Sequence, residues 1–410
     1  MMAATAPGAG VRAADTYRAS AVSAGFNHAL ALLGDGTIWS WGYNAQGQLG
    51  LGHTMDMSRP QKIGKSDNFV AVSAGLYHSL ALASDGTLYA WGHNGQGQLG
   101  IGTATNANAL TPQGMSVSVI ENPTVIDPDP STVPTPTEGV TELELDGGIV
   151  AISAGYYHSM VLTDQGSVYT WGDNSYGGTG LGAGAGYQAR PQKAALPEAA
   201  KAIAGGYSSS AVIGVSGTVY TTGYNGYGDL GLGNLTNRNT FQAVTLPGPA
   251  AQISNDGYHM IALLENGDVY TWGKNDMGEV GNGASAHVSN PYNVAVPLDP
   301  GDHIVSVNAG YEHTSVLTAA GKLYCWGNQL NGRLGNGVTT GYQRSPIYIR
   351  DGVGSITDGG GYQYQMVILE DGSAWAAGRD QWGKMGNDRD LGPTDGSSGA
   401  LGFVIVEFCR

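Results

Sequence analysis

Five histidines, His28, His78, His158, His259 and His313, stand just after a glycine turn, and each has a tryptophan thirteen residues further on, at Trp41, Trp91, Trp171, Trp272 and Trp326. Imidazoles in such repeated settings are candidates for metal ligation or general-base chemistry, which requires them to converge on one atom. Two glycine runs, Gly95-Gln-Gly97-Gln-Leu-Gly100 and Gly226-Tyr-Gly228-Asp-Leu-Gly231, match the G-x-G-x-x-G spacing of dinucleotide-binding turns. That chemistry needs a helix opening at the glycines, and no helical pattern follows either run. Asp388, Asp390 and Asp395 offer the hard oxygens that calcium takes, but their spacing misses the EF-hand loop, so a solvated loop is expected. Cys325 and Cys409 are the only cysteines, which excludes a disulfide framework and a cysteine-based zinc cluster. No nucleophile elbow, HExxH or Walker motif occurs. The expectation is therefore no metal, no cofactor and no catalytic centre.

The histidines instead mark a repeat. The stretch AGFNHALALLGDGTIWSWGYNAQGQLG, residues 24–50, recurs from 74, 154, 205, 255, 309 and 360. The histidine-equivalent positions His28, His78, His158, Ser209, His259, His313 and Tyr364 are spaced by 50, 80, 51, 50, 54 and 51. The tryptophan-equivalent always follows by 13, with Thr222 and Ala377 in copies four and seven. Constant spacing within copies and loose spacing between them mark one structural unit joined by variable loops. Inside a unit, short apolar alternating runs flank Asp-Gly or Asn-Gly, which predicts a β-hairpin with a type I′ turn. An apolar run ending in Ser-Ala-Gly precedes the hairpin, and a proline-led run such as Pro60-Gln-Lys-Ile63 precedes that.

Each unit therefore reads as four antiparallel strands, and seven such sheets as a radial ring, an all-β, seven-bladed β-propeller spanning 1–410. The repeat cores are 22–52, 72–102, 152–182, 203–233, 253–283, 307–337 and 356–388. The first unit lacks a proline-led strand, so the C-terminal strand 403–408 is expected to pair into the first blade and close the ring. Equivalent histidines then point into different inter-blade spaces, which gives them a structural hydrogen-bonding role. The tryptophans fill the space between blades.

Composition agrees. Glycine is 67 of 410 residues, charged residues are 12% and hydrophobic residues 41%, the profile of a turn-rich folded chain. No apolar run is long enough to span a bilayer, and residues 1–20 lack a signal-peptide core. A net charge of −15 disfavours nucleic acid and anionic membranes as partners.

In a four-stranded blade the Ala-Gly-x-x-His turn and the long loop after Trp-Gly emerge on one side, opposite the Asp-Gly turns. That side collects Phe26, Tyr77, Tyr156, Tyr157, Tyr207, Tyr258, Tyr311, Glu312 and Tyr362, near Tyr43, Tyr176, Tyr224, Tyr227 and Trp382. Tyrosine and tryptophan dominate binding hot spots, so this is the candidate partner-binding face. Between copies two and three, residues 116–148 insert a stretch containing NPTVIDPDPSTVPTPTEG. Its composition reads as an extended spacer or docking loop leaving the opposite face, and it favours a secreted or cell-surface setting over the cytoplasm.

Seven copies of SAGxxHSLALxxDGxxYxWGxNxxGQLGxG resemble the repeat of the regulator of chromosome condensation, or RCC1, family. The resemblance implies a seven-bladed propeller, usually non-catalytic, that binds other proteins. Copies one to three match well, five and six less so, four and seven least. The family includes an exchange factor for a small GTPase, whose third-blade wedge has no counterpart at Trp171 to Gly177 here. It also includes a plant ultraviolet receptor, whose tryptophan cluster is replaced here by tyrosines, and, more distantly, a secreted β-lactamase inhibitor with an aromatic, acidic binding face. The reading is a monomeric, non-catalytic propeller that recognises a protein or peptide. Nucleotide exchange is one alternative. Glycan binding is another, for which Glu312 and Asp256 are the candidate paired carboxylates.

Overall fold

A computed structural model describes residues 18–64, 68–104, 108–119, 141–182, 186–357, 361–387 and 399–408. The first sheet is β1 (Ala19–Ala24), β2 (His28–Leu33), β3 (Ile38–Gly42) and β4 (Met57–Lys62), paired in chain order and antiparallel throughout. The same meander recurs six times, giving a seven-bladed β-propeller.

The hairpin turn differs from the sequence expectation. In the first blade Gly36 has φ +78° while Asp35 does not have positive φ, and the Gly36 N–H bonds the Leu33 carbonyl. This is a three-residue connection with glycine alone in the left-handed region, not a type I′ turn with two such residues. The Asp35 carboxylate accepts the Thr37 N–H at 3.0 Å, fixing the turn.

Strand order also differs. The proline-led strand closes the blade of the repeat before it, as the outermost strand. The tryptophan strand β3 is buried at every position and needs a neighbour on its outer side. A strand containing Pro60, which lacks an N–H, is suited to the exposed edge. Each blade is consequently one contiguous piece of chain.

It follows that, among the described residues, no strand crosses from the C-terminus to the first blade. The C-terminal strand Gly399–Ile405 is the outer strand of the seventh blade, in register with Ala374–Arg379. The tail still reaches the junction through side chains. Val406 is buried there, and Phe408 lies edge-on to Trp39 and Trp41 at 5.8 and 6.1 Å.

The second blade has five strands: β5 (Phe69–Ala74), β6 (His78–Ala83), β7 (Leu88–Gly92), β8 (Ala109–Val119) and β9 (Thr141–Leu145). Strand β9 comes from the predicted insertion and pairs in parallel with β8, from Met115↔Thr141 to Val119↔Leu145. Leu143 and Leu145 are buried in the cluster between blades two and three. The rest of the proline- and threonine-rich stretch, 120–140, lies outside the described residues, as do Asp388, Asp390, Asp395 and Cys409.

The core is seven clusters, one in each space between neighbouring blades, including blades seven and one. Among the described residues no helix is long and apolar enough to cross a membrane.

Candidate functional site

The repeated histidines are built into the seams. His28 Nε2 meets Ser79 Oγ of the next blade at 2.9 Å, and Ser79 Oγ donates to the Gln48 carbonyl at 2.9 Å. The serine's one proton is thus spent on the carbonyl, so it accepts from the imidazole, which fixes the Nε2–H tautomer. The same relay joins His78 to Ser159 (2.9 Å), His158 to Ser210 (2.9 Å) and His259 to Thr314 (2.8 Å). The Gln48 carbonyl also accepts Trp91 Nε1–H at 2.8 Å. Trp171, Trp272, Trp326 and Trp41 do likewise with Gln98, Asp229, Glu279 and Lys384. A Cβ on Gly25 would lie 2.6 Å from the His28 ring, which is why glycine opens the turn.

Burial pushes His28, His78, His259 and His313 down to about 3 and His158 to about 4. These imidazoles are neutral, each in its own seam, and His28, His78, His158 and His259 act there as donors. Among the described residues no group of three or more His, Cys, Asp or Glu side chains could hold a metal.

Copies four and seven keep their seams by other means. Where Thr222 and Ala377 replace tryptophan, Phe241 and Phe403 of the outer strands fill against Gly180 and Gly335 of the preceding blade. Where Tyr364 replaces histidine, its hydroxyl donates to the His28 and Gly25 carbonyls at 2.6 and 3.0 Å, joining blade seven to blade one. Sequence reasoning missed both phenylalanines. The signal was available as a phenylalanine on the outer strand of just those two copies that lack tryptophan. Seam six to seven is the exception: among the described residues neither nitrogen of His313 has a hydrogen-bond partner, and the residue opposite is Gln365.

The loops above the seams bring most of the predicted aromatic residues together. Phe26 stacks on Tyr362 at 4.3 Å and meets Tyr156 and Tyr311 edge-on, both at 5.7 Å. From Tyr156 contacts run to Tyr207 (4.8 Å) and on to Tyr258 (4.7 Å), Tyr227 and Tyr224, with Tyr157 against Tyr207 and Tyr176 against Tyr224. Tyr77 sits apart from this net, in a smaller group with Tyr43 and Trp382. Tyr156 is buried, Tyr176 is half exposed, and most of the others are partly covered. Burial holds the hydroxyls of Tyr77, Tyr157, Tyr258 and Tyr311 above the ordinary phenol range, Tyr157 at about 12. These rings therefore present neutral hydroxyls.

Beneath the rings lies a polar layer. The position after Gly47 in the first loop recurs as Gln48, Gln98, Gly178, Asp229, Glu279, Arg333 and Lys384, non-ionisable in blades one to three and ionisable in four to seven. Glu312 accepts from Arg333 (3.0 Å) and Asn328 (2.8 Å) and pairs with Lys274 (3.5 Å). Asp256 is buried, accepts the Gly257 N–H at 2.6 Å, and lines a water-sized axial cavity of about 20 Å³ with Phe26 and Tyr156. Glu312 is thus tied into an ion-pair network and Asp256 is enclosed, which removes the open, paired carboxylates that glycan chemistry would use.

The three non-glycine residues with positive φ among those described, Asn331 (61°), Gln363 (66°) and Trp382 (63°), all lie on this face, in blades six and seven. A tryptophan in that region is strained by about 1 kcal/mol or more, and such strain concentrates at functional surfaces.

Comparison with known proteins supplies the family. The model of the RCC1-like domain matches residues 4–314 and 130–400. The ultraviolet-B receptor UVR8 of Arabidopsis thaliana is 27% identical over 402 residues, covering 96% of this chain and 72% of that protein. The probable E3 ubiquitin-protein ligase HERC4 of Homo sapiens is 34% identical over 337 residues, covering 80% of this chain; the match spans only 29% of its length. The crystal structure of Prp20p from Saccharomyces cerevisiae superposes with a TM-score of 0.66 at 23% identity, covering 84% of this chain and 80% of that one. Seven contiguous blades, tryptophan and histidine seams and a family match along nearly the whole sequence place this chain in the RCC1-like domain family.

Proposed function

We propose that the chain is a non-catalytic recognition module that binds a partner protein or peptide through its aromatic loop face. The observation that carries this reading is the contiguous sheet of rings from Phe26 to Tyr227, partly exposed at the loop face. Rigid aromatic rings offer large contact area at little entropic cost, and held at a loop face they are preorganised for binding. Prp20p is described as binding Gsp1p and histones, and the present reading keeps from that only the use of a propeller as a protein-binding platform.

The proposed contact residues are the partly exposed ones: Tyr77, Tyr157, Tyr207, Tyr258, Tyr311, Tyr362, Tyr176, Tyr227 and Trp382, with Phe26 and Tyr156 as the support beneath. Affinity capture with the wild type and with Tyr77→Ser, Tyr157→Ser, Tyr176→Ser and Tyr227→Ser combined tests this. Recovery of a protein by the wild type and not by a folded variant is the expected result. Equal recovery by both moves the site elsewhere and ends this reading.

A further inference from the structure

The aromatic face sorts its charges by depth. Most of its cations are withdrawn and engaged internally. Lys384 is fully buried, and Nζ donates to the Tyr362 carbonyl at 2.6 Å and to Asn27 Oδ1 at 3.2 Å. Arg333 is 1% exposed on Glu312, and Lys274 lies 12% exposed between Glu279 (3.6 Å) and Glu312 (3.5 Å). Carboxylates stand further out, each beside a rim tyrosine. Exposed Asp56 accepts the N–H of Asn44, next to Tyr43. Asp173 donates its own N–H to the Tyr157 carbonyl at 2.9 Å. Asp276, with its side chain 48% exposed, reaches Tyr227 through His287, whose ring lies 4.8 Å from the tyrosine. Of the remaining cations, Arg379 is held by Gln363 at 3.0 Å, and Arg190, Arg238 and Arg344 stand on outer strands, Arg190 and Arg344 exposed against the loop glycines Gly102 and Gly278.

We propose that the occupant of this face is a basic protein segment whose arginine and lysine side chains lie across the rim tyrosines and end on Asp56, Asp173 and Asp276. The inference rests on the reading of the aromatic face as the binding surface. Three arguments favour this chemistry. A guanidinium over a tyrosine ring gains a cation–π attraction and can also donate to the hydroxyl. An aspartate beside each ring supplies the counter-charge. The chain as a whole carries −15, so its field draws basic segments in and turns acidic ones away.

The test is a selection of random peptides on the full chain, run in parallel on Tyr43→Ser, Tyr157→Ser and Tyr227→Ser combined, and on Asp56→Asn, Asp173→Asn and Asp276→Asn combined. Enrichment of arginine and lysine in peptides that bind the wild type and are lost on the tyrosine variant is the expected result. The aspartate variant alters only polar loop side chains and keeps the experiment decisive if the tyrosine variant melts early. It should weaken the selected peptides about tenfold at low salt and less at high salt. Basic peptides held equally by all three proteins would overturn the inference, because the acidic opposite face would then be the attractor. Peptides specific to the wild type but without basic enrichment would overturn it while leaving the binding face intact. No peptides specific to the wild type would overturn the binding face as well.

Discussion

The seams and the loops above them come from the same repeat, yet they obey different rules. In a seam one carbonyl accepts a tryptophan and a hydroxyl, the hydroxyl accepts a histidine, and every atom lies between two blades. When a copy loses tryptophan, Phe241 or Phe403 arrives from another strand to fill the same space. On the face, the two residues between glycine and histidine vary freely, from Phe26-Asn27 to Tyr156-Tyr157 and Glu312, and no compensation is needed. Packing therefore constrains the seam while the face is left open to selection for something else.

Acidification gives the largest expected break in that comparison. The buried seam histidines sit at about 3 to 4, against 6.5 in an unfolded chain. Below pH 6.5 the unfolded state binds protons that the seams refuse, so their contribution is complete above pH 6.5 and is lost as pH falls towards 4. Each histidine costs about 1.4 kcal/mol per pH unit in that window. Thermal melts should show a steep fall in Tm between pH 6.5 and 4. A flat profile would mean that the imidazoles are not the neutral donors of the seams.

Next comes truncation of a seam ring. Trp171→Ala, which empties a fully buried site, should cost about 3–5 kcal/mol in urea unfolding. Phe241→Ala should cost a similar amount if the two rings are equivalent fillers, and a loss below 1 kcal/mol would refute that equivalence.

A smaller effect of opposite pH sense is expected at Asp229. Burial raises its carboxyl to about 7 from 3.8, so it favours folding below pH 3.8, and that favour is lost as pH rises through 7. Asp229→Asn should therefore raise Tm at pH 8 and leave it nearly unchanged at pH 4.

Trp382→Gly sharpens the comparison from the face. Glycine relieves the left-handed backbone while the ring that touches Tyr43 is lost, so Tm should stay within a few degrees. Partner binding should fall at least tenfold. A large loss of stability would place Trp382 with the seams instead.

Much of this was legible in the amino-acid order. Invariant spacing from His28 to Trp41 and its copies announced seven like sheets, because only a repeated packing unit keeps such a distance constant. The loop assignment of Phe26, Tyr207 and Tyr258 followed from strand parity. Three features did not follow. The turn type is not legible, since Asp-Gly suits both a type I′ turn and a three-residue turn with a bulge, and only the strand register separates them. The blade to which the proline-led strand belongs is not legible either, because a meander reads the same in both phasings, and only burial on both sides of Trp41 decides. Strand β9 was invisible inside the insertion, since Thr141–Leu145 is too short and too acidic to signal a strand without β8 beside it.

The sequence by itself determined the number of blades, their composition and which residue types meet the loops, because these depend on periodicity and local turn chemistry. The tertiary structure decided which tyrosines are buried, which cations are withdrawn and how the ring closes, because each depends on packing between loops and blades, at the extreme between residues hundreds of positions apart, as when the Tyr364 hydroxyl reaches Gly25.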